Sequence, residues 1–256
     1  MAVAGLWRLN RHALSELAPA YVARSAAAST LLDPTPAQRL SILLHPRGER
    51  PNARFIALTF DDGPYPVTTP LLLDRLRDLH VPATFFVIGN DAMQYPELTH
   101  RIAADGNEVD NHTFTHPDLD ALGAGAIVQE LEKAAQTLRP LTGSDSVSRR
   151  MRPPHGRYTK ATIEAAQGAE YDVVLWTDDP GDWRDVSAGE LEAHVLSHAT
   201  APEIVLLHSG RPATIAMLDV VVPRFRAAGY RFVTVGQLLA SSGGPQAVND
   251  WAHVSL

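Results

Sequence analysis

The chain has 256 residues, 45% apolar and 20% charged, with a formal net charge of −7. That is enough for one large α/β domain or two small ones, and it offers no basic stripe for nucleic acid and no positive face for an anionic membrane. There is no cysteine, which excludes disulfides and thiolate metal sites and leaves His, Asp and Glu to hold any ion.

Three regions are expected: an N-terminal helical appendage over residues 1–50, a domain over 51–240 and a tail over 241–256. Met1 to Ala28 is Ala-rich, but Arg8, Asn10, Arg11, His12 and Glu16 interrupt it. A signal peptide needs an unbroken apolar run of roughly 7–15 residues, and none is present. A cytoplasmic chain, or one exported as part of a longer precursor, fits that reading. No run of roughly 18 apolar residues occurs, so no membrane span is expected.

From Arg54 onward, strand and helix patterns alternate. Phe55 to Phe60 is an apolar run stopped by Asp-Asp-Gly-Pro and reads as a buried strand. Val67 to Leu79 is a helix with Leu72, Leu73, Leu76 and Leu79 on one side. Strand Ala83 to Ile88 ends at Gly89-Asn90, and helix Pro96 to Ala104 and a strand near Glu108 to Asn111 follow. Helix Ala124 to Leu138 carries Ile127, Leu131, Ala135 and Leu138 on one face. Next come strand Arg149 to Arg152, helix Lys160 to Gln167, strand Tyr171 to Trp176 and helix Ala188 to Ser197. Strand Glu203 to Leu207, helix Ala213 to Ala228 and strand Arg231 to Val235 close the pattern. Repeated β-α units imply a parallel sheet with helices outside, and about seven of them suggest a barrel, incomplete or distorted. Chemistry in such barrels gathers at the C-terminal ends of the strands.

Ionisable residues occupy those ends. Asp61 and Asp62 follow the first strand. Their side chains should diverge, since orientation alternates along a strand, so one can bind a metal while the other acts as a base; Asp-Asp-Gly-Pro is also good turn chemistry in its own right. His112 and His116 follow the third strand. On a helix, that spacing lets two imidazoles share an ion; two satisfied surface histidines are the plainer alternative. His194 and His198 have the same spacing inside a predicted helix, away from the strand ends, and read as ordinary helical residues. Arg152 precedes two prolines that would present it rigidly, unless it forms a surface ion pair. Asp178, Asp179 and Asp182 follow the fifth strand, and His208 the sixth. Asp182 can accept the His208 ring N–H and favour its charged form.

In this order, Thr59-Phe60-Asp61-Asp62-Gly63, His112-Thr113-Phe114-Thr115-His116, Arg152-Pro153-Pro154-His155-Gly156, Asp179-Pro180-Gly181-Asp182-Trp183 and Leu206-Leu207-His208 resemble the NodB-type polysaccharide deacetylases, carbohydrate esterase family four. Ala83-Thr84-Phe85-Phe86 and Gly106-Asn107-Glu108-Val109 add to the match, which runs from about Arg54 to Leu239. The resemblance implies a distorted (β/α)7-type barrel and a hydrolase removing acetyl groups from N-acetylated sugars. It implies that Asp62, His112 and His116 bind a divalent metal, Zn2+ foremost, with Co2+ or another first-row ion as alternatives. It makes Asp61 the general base, paired to Arg152, and His208 the general acid, oriented by Asp182. Pro154, His155, Trp176 and Trp183 would line the groove for a carbohydrate partner. Three positions depart from the family pattern. His155 stands where an aromatic residue is usual, Ser209 replaces a frequent Asp, and Asp110 replaces a common small residue. An O-acetyl xylan esterase, an amidohydrolase of cyclic imides or ureides, and a catalytically silent carbohydrate-binding protein are the competing readings. The polymer stays open among peptidoglycan, chitin oligosaccharides, an exopolysaccharide and a lipid-linked sugar. Short βα loops point to an open groove.

Overall fold

The structure is a computed structural model and describes residues 54–143, 149–199 and 201–241. The expected appendage over 1–50 and nearly all of the tail over 241–256 lie outside the described residues.

Seven parallel strands form one curled sheet: β1 (Arg54–Asp61), β2 (Thr84–Val87), β3 (Glu108–Asn111), β4 (Arg150–Met151), β5 (Asp172–Val173), β6 (Glu203–His208) and β7 (Tyr230–Phe232). Their order is β5-β4-β3-β2-β1-β6, with β7 beside the start of β1. Helices α1 (Thr68–Asp78), α2 (Gly89–Gln94), α3 (Pro96–Ala104), α4 (Ala124–Thr142), α5 (Lys160–Gly168), α6 (Ala188–His198), α7 (Pro212–Ala227) and α8 (Val235–Ser241) connect or cap the strands. No described helix is long and apolar enough to cross a membrane.

β1 is the central strand, and Ile56 through Asp61 are all buried. Burial on both faces is what a parallel sheet sandwiched by helices demands of its strands. Ile56, Leu58 and Phe60 share one cluster with Leu72, Leu73 and Leu76 of α1 and with Met217, Leu218 and Val221 of α7. At 11 residues, α1 is too short to persist alone in water; burying each of those leucines contributes about 1.5–3 kcal/mol. Alternation turns Ala57 the other way, into a second cluster with Phe86, Val174 and Ile204.

Three elements differ from the sequence reading. The segment expected as strand Tyr171 to Trp176 pairs with β4 only over Asp172–Val173. It then runs on to β6, where Thr177 N–H donates to Ile204 O at 2.9 Å and Leu206 N–H to Asp178 O at 2.9 Å. One segment thus touches both edges of the sheet and closes the curl. Val235 begins α8 rather than ending a strand. Val235, Leu238 and Leu239 pack against the inward cluster of Ala57, Phe86, Val174 and Ile204 and plug that end of the barrel. Glycine at 89 begins the short helix α2, in a spot where a Cβ would come within 2.7 Å of the Phe114 ring.

Asp110 is fully buried, and its carboxylate accepts from Arg150 Nε at 3.2 Å. A charge buried on β3 is thereby met by a cation from the neighbouring strand. His194 is also more than a helical surface residue. Its Nε2 lies 2.8 Å from Oδ1 of buried Asp178, tying α6 to the closing segment.

Candidate active site

The C-terminal ends of β1, β3, β4 and β6 bring the predicted residues to one mouth of the barrel. Arg152 lies at its centre and is fully buried, not on the surface. Its Nη1 donates to Asp61 Oδ1 at 2.6 Å and to Thr59 Oγ1 at 2.8 Å, and its Nη2 to Leu175 O at 3.0 Å. The guanidinium also lies 4.0 Å over the Phe86 ring. Thr59, part of the Thr-Phe-Asp-Asp-Gly block, was given no role of its own in the sequence, although its place two residues before Asp61 puts it on the same inward face. A buried cation is tolerated only when its donors are met, and those of Arg152 are met from β1 and the closing segment.

His112 and His116 do converge, but not through a helix. Residues 112–116 form an irregular turn with φ of 66° at Thr113 and 59° at His116. Neighbouring side chains hold it. Asn111 Oδ1 accepts from Thr113 N–H at 2.8 Å and Thr113 Oγ1 from His116 N–H at 3.1 Å. Glu130 of α4 accepts from Phe114 N–H at 2.9 Å and Thr115 N–H at 2.7 Å. The two Nε2 atoms end 3.2 Å apart. Asp62 Oδ1 lies 3.3 Å from Nε2 of His116 and 3.7 Å from Nε2 of His112. These residues form the one three-member ligand cluster among the described residues. Two nitrogens and an oxygen aimed at one point form a donor set that fits a borderline first-row ion such as zinc.

The protonation states suit ligation. Burial pushes the His112 imidazole down, favouring the neutral form that can offer a lone pair. Its Nδ1 lies 2.9 Å from Arg152 O; an Nδ1–H donated to that carbonyl leaves Nε2 to face the cluster. Burial opposes charge on Asp62, yet His116, His112 and His208 together hold its carboxyl well below the usual range.

His208 lies across the mouth. Its Nδ1 is 2.7 Å from Asp182 Oδ1, while Asp182 Oδ2 accepts from His208 N–H at 2.8 Å and from Thr214 Oγ1 at 2.6 Å. Burial disfavours the imidazolium, but the Asp182 bond and the carboxylates of Asp61, Asp182 and Asp62 outweigh it and push His208 up to about 9. Ser209, the next residue, donates from Oγ to Asp62 O at 3.1 Å and locks β6 to the Asp-Asp-Gly turn.

Pro154 and His155 form a short 3-10 turn beside this cluster. The His155 ring meets the His116 ring edge-on at 4.6 Å, and its Nδ1 lies 2.8 Å from Asp118 Oδ1. Its backbone φ is 56°, and its N–H donates to no acceptor among the described residues. Six described non-glycine residues have positive φ; Asp62, Thr113, His116 and His155 are four of them. Strain concentrated at one mouth is expected of a functional site. Trp176 lies over Gly156, where a Cβ would come within 2.6 Å of its ring. Trp183 is 46% exposed, with Arg184 5.5 Å over its ring. Tyr65, absent from the sequence reading, lies close enough to Asp62 and Asp91 that burial and those carboxylates push its phenol up to about 12.

A family profile described as "Polysaccharide deacetylase" matches residues 48–174. The chain is 35% identical over 205 residues to a chitooligosaccharide deacetylase of Bradyrhizobium sp. (strain ANU 289), covering 75% of this chain and 93% of that one. It is 34% identical to the peptidoglycan-N-acetylmuramic acid deacetylase PdaC of Bacillus subtilis (strain 168), over 73% of this chain and 39% of that one. The crystal structure of the peptidoglycan N-acetylglucosamine deacetylase Bc1960 superposes with a TM-score of 0.70 at 31% identity, over 73% of this chain and 88% of that one.

Proposed function

The chain belongs to the polysaccharide deacetylase family, and from that membership we propose that it hydrolyses acetyl groups from N-acetylated sugar units of a glycan. The observation that carries the reading is the meeting, at one barrel mouth, of a metal-type ligand set, a carboxylate fixed by a buried arginine, and a charged histidine fixed by an aspartate.

Asp62, His112 and His116 would hold the ion. When bound, a divalent first-row cation supplies Lewis-acid polarisation of the acetyl carbonyl and makes water more acidic. Asp61 is the general base. Arg152 occupies its Oδ1, and its Oδ2 lies on the ligand side, 3.8 Å from His112 Nε2. That oxygen is positioned to take a proton from the attacking water. The unbonded N–H of His155 is positioned to stabilise negative charge on the carbonyl oxygen. His208 is the general acid. With Nδ1 committed to Asp182, its Nε2 can give a proton to the departing amine, which would otherwise be a poor leaving group. His155, Pro154, Trp176 and Trp183 would border the sugar.

Two single variants test this division. Asp62→Ala should lose bound metal, and activity with it. Asp61→Asn should keep the metal and lose turnover. Retained activity in Asp61→Asn would refute the assignment of the base.

A further inference from the structure

A cleft of about 440 Å³ opens beside the reacting groups, lined in part by Asp62, Tyr65, Val67, His208, Gly210 and Arg211. An acetyl group needs far less, and the volume lies in the range of about 300–1,000 Å³ usual for small-ligand sites. One side is apolar. The Tyr65 ring lies against Gly210, where a Cβ would come within 2.8 Å of it, and Val67 lies in the cleft wall with 70% exposure. The other feature is Arg211. Other arginines around the mouth are engaged: Arg152 with Asp61, Arg157 with Asp120 and Arg184 with Gly181 O. The Arg211 side chain makes no hydrogen bond or ion pair with any described residue. Pro212 follows it directly and restrains the backbone that presents it at the start of α7.

A guanidinium without a bonded partner and a small apolar wall in the same cleft call for a carboxylate on a short apolar arm. We propose that this cleft is a subsite for the O-lactyl ether of an N-acetylmuramic-type sugar next to the reacting sugar, and that Arg211 selects acidic amino-sugar glycans over neutral chitin oligomers. The proposal rests on the deacetylase reading. A lactyl ether presents a methyl group to Val67 and Tyr65 and a carboxylate to Arg211. A chitin sugar presents only hydroxyls there and leaves the guanidinium without a partner.

The test compares acetate release from four substrates by wild type and Arg211→Gln: stem-free N-acetylglucosamine–N-acetylmuramic acid glycan, the same glycan methyl-esterified at its lactyl groups, stem-bearing peptidoglycan, and N-acetylchitopentaose. The wild type should favour the free acid over its ester, and Arg211→Gln should reduce that ratio about tenfold, the effect expected of one charge-assisted hydrogen bond. An acid-to-ester ratio that is the same in both proteins would overturn the subsite. So would a preference for the stem-bearing polymer that disappears in Arg211→Gln, because the carboxylate would then belong to the peptide. Failure to release acetate from any of the four would overturn the deacetylase reading itself, which distinguishes the two failures.

Discussion

Adjacent carboxylates at the end of β1 face different surroundings. Asp61 is 4% exposed and bonded to a buried guanidinium, whereas Asp62, at a φ of 70°, faces two imidazoles. Asp61→Asn is expected to lower kcat by about 10²–10⁴-fold, the range for losing a positioned base, with metal content unchanged by elemental analysis. His208 yields a pH prediction. With its imidazole up near 9, the acid stays charged at neutral pH, and activity should fall as pH rises through about 9. Asp182→Asn removes the main raising interaction and should move that alkaline limb down toward the ordinary histidine value of about 6.5. A pH profile of kcat/KM checks both. The sign for stability is the same: the raised value contributes stability fully present below about 6.5, lost as pH climbs through about 9.

Among the elements, those with long apolar stripes were legible from sequence and those set by tertiary contact were not. β1, α1, α4 and β6 each carry enough buried residues to announce their period. The site followed from them, because Asp61, Asp62 and His208 come where β1 and β6 end. β4 and β5 keep only two paired residues each. Just past the fifth predicted strand, Thr177 and Asp178 bond across the closing seam, and no local pattern signals that. The 112–116 turn is another case. Imidazoles four residues apart suggest a helix, but Asn111, Thr113 and Glu130 supply bonds that stabilise a tight turn instead. Glu130 is 14 residues beyond His116, so its part was invisible until α4 packed against the turn. Glu130→Ala removes the acceptor for two backbone N–H groups and should weaken metal binding about 10–100-fold, as losing a partner that supports the ligands does. Competition with a chelator measures it.

For the whole molecule, the barrel is plugged at one end and open at the other. Leu238 of α8 is 1% exposed within the plug, and Leu238→Ala should cost about 2–5 kcal/mol in urea unfolding with little change in kcat, since the plug is remote from the mouth. Arg152 occupies the middle and joins β1 to the closing segment. Its role is therefore mixed. Arg152→Met leaves Asp61 buried without its partner and should destabilise by about 3–5 kcal/mol while also abolishing turnover. The open mouth carries the candidate reacting groups, and there His155 stands beside His116 and Arg211 lines the neighbouring cleft.

Acetate release from N-acetylglucosamine oligomers is the most direct measurement, made on the same protein before and after complete removal of bound metal and again after zinc is restored. Release by the loaded protein, loss on stripping and recovery on reloading are the predicted results. Undiminished release by the fully stripped protein would contradict the role given to Asp62, His112 and His116, and with it the mechanism.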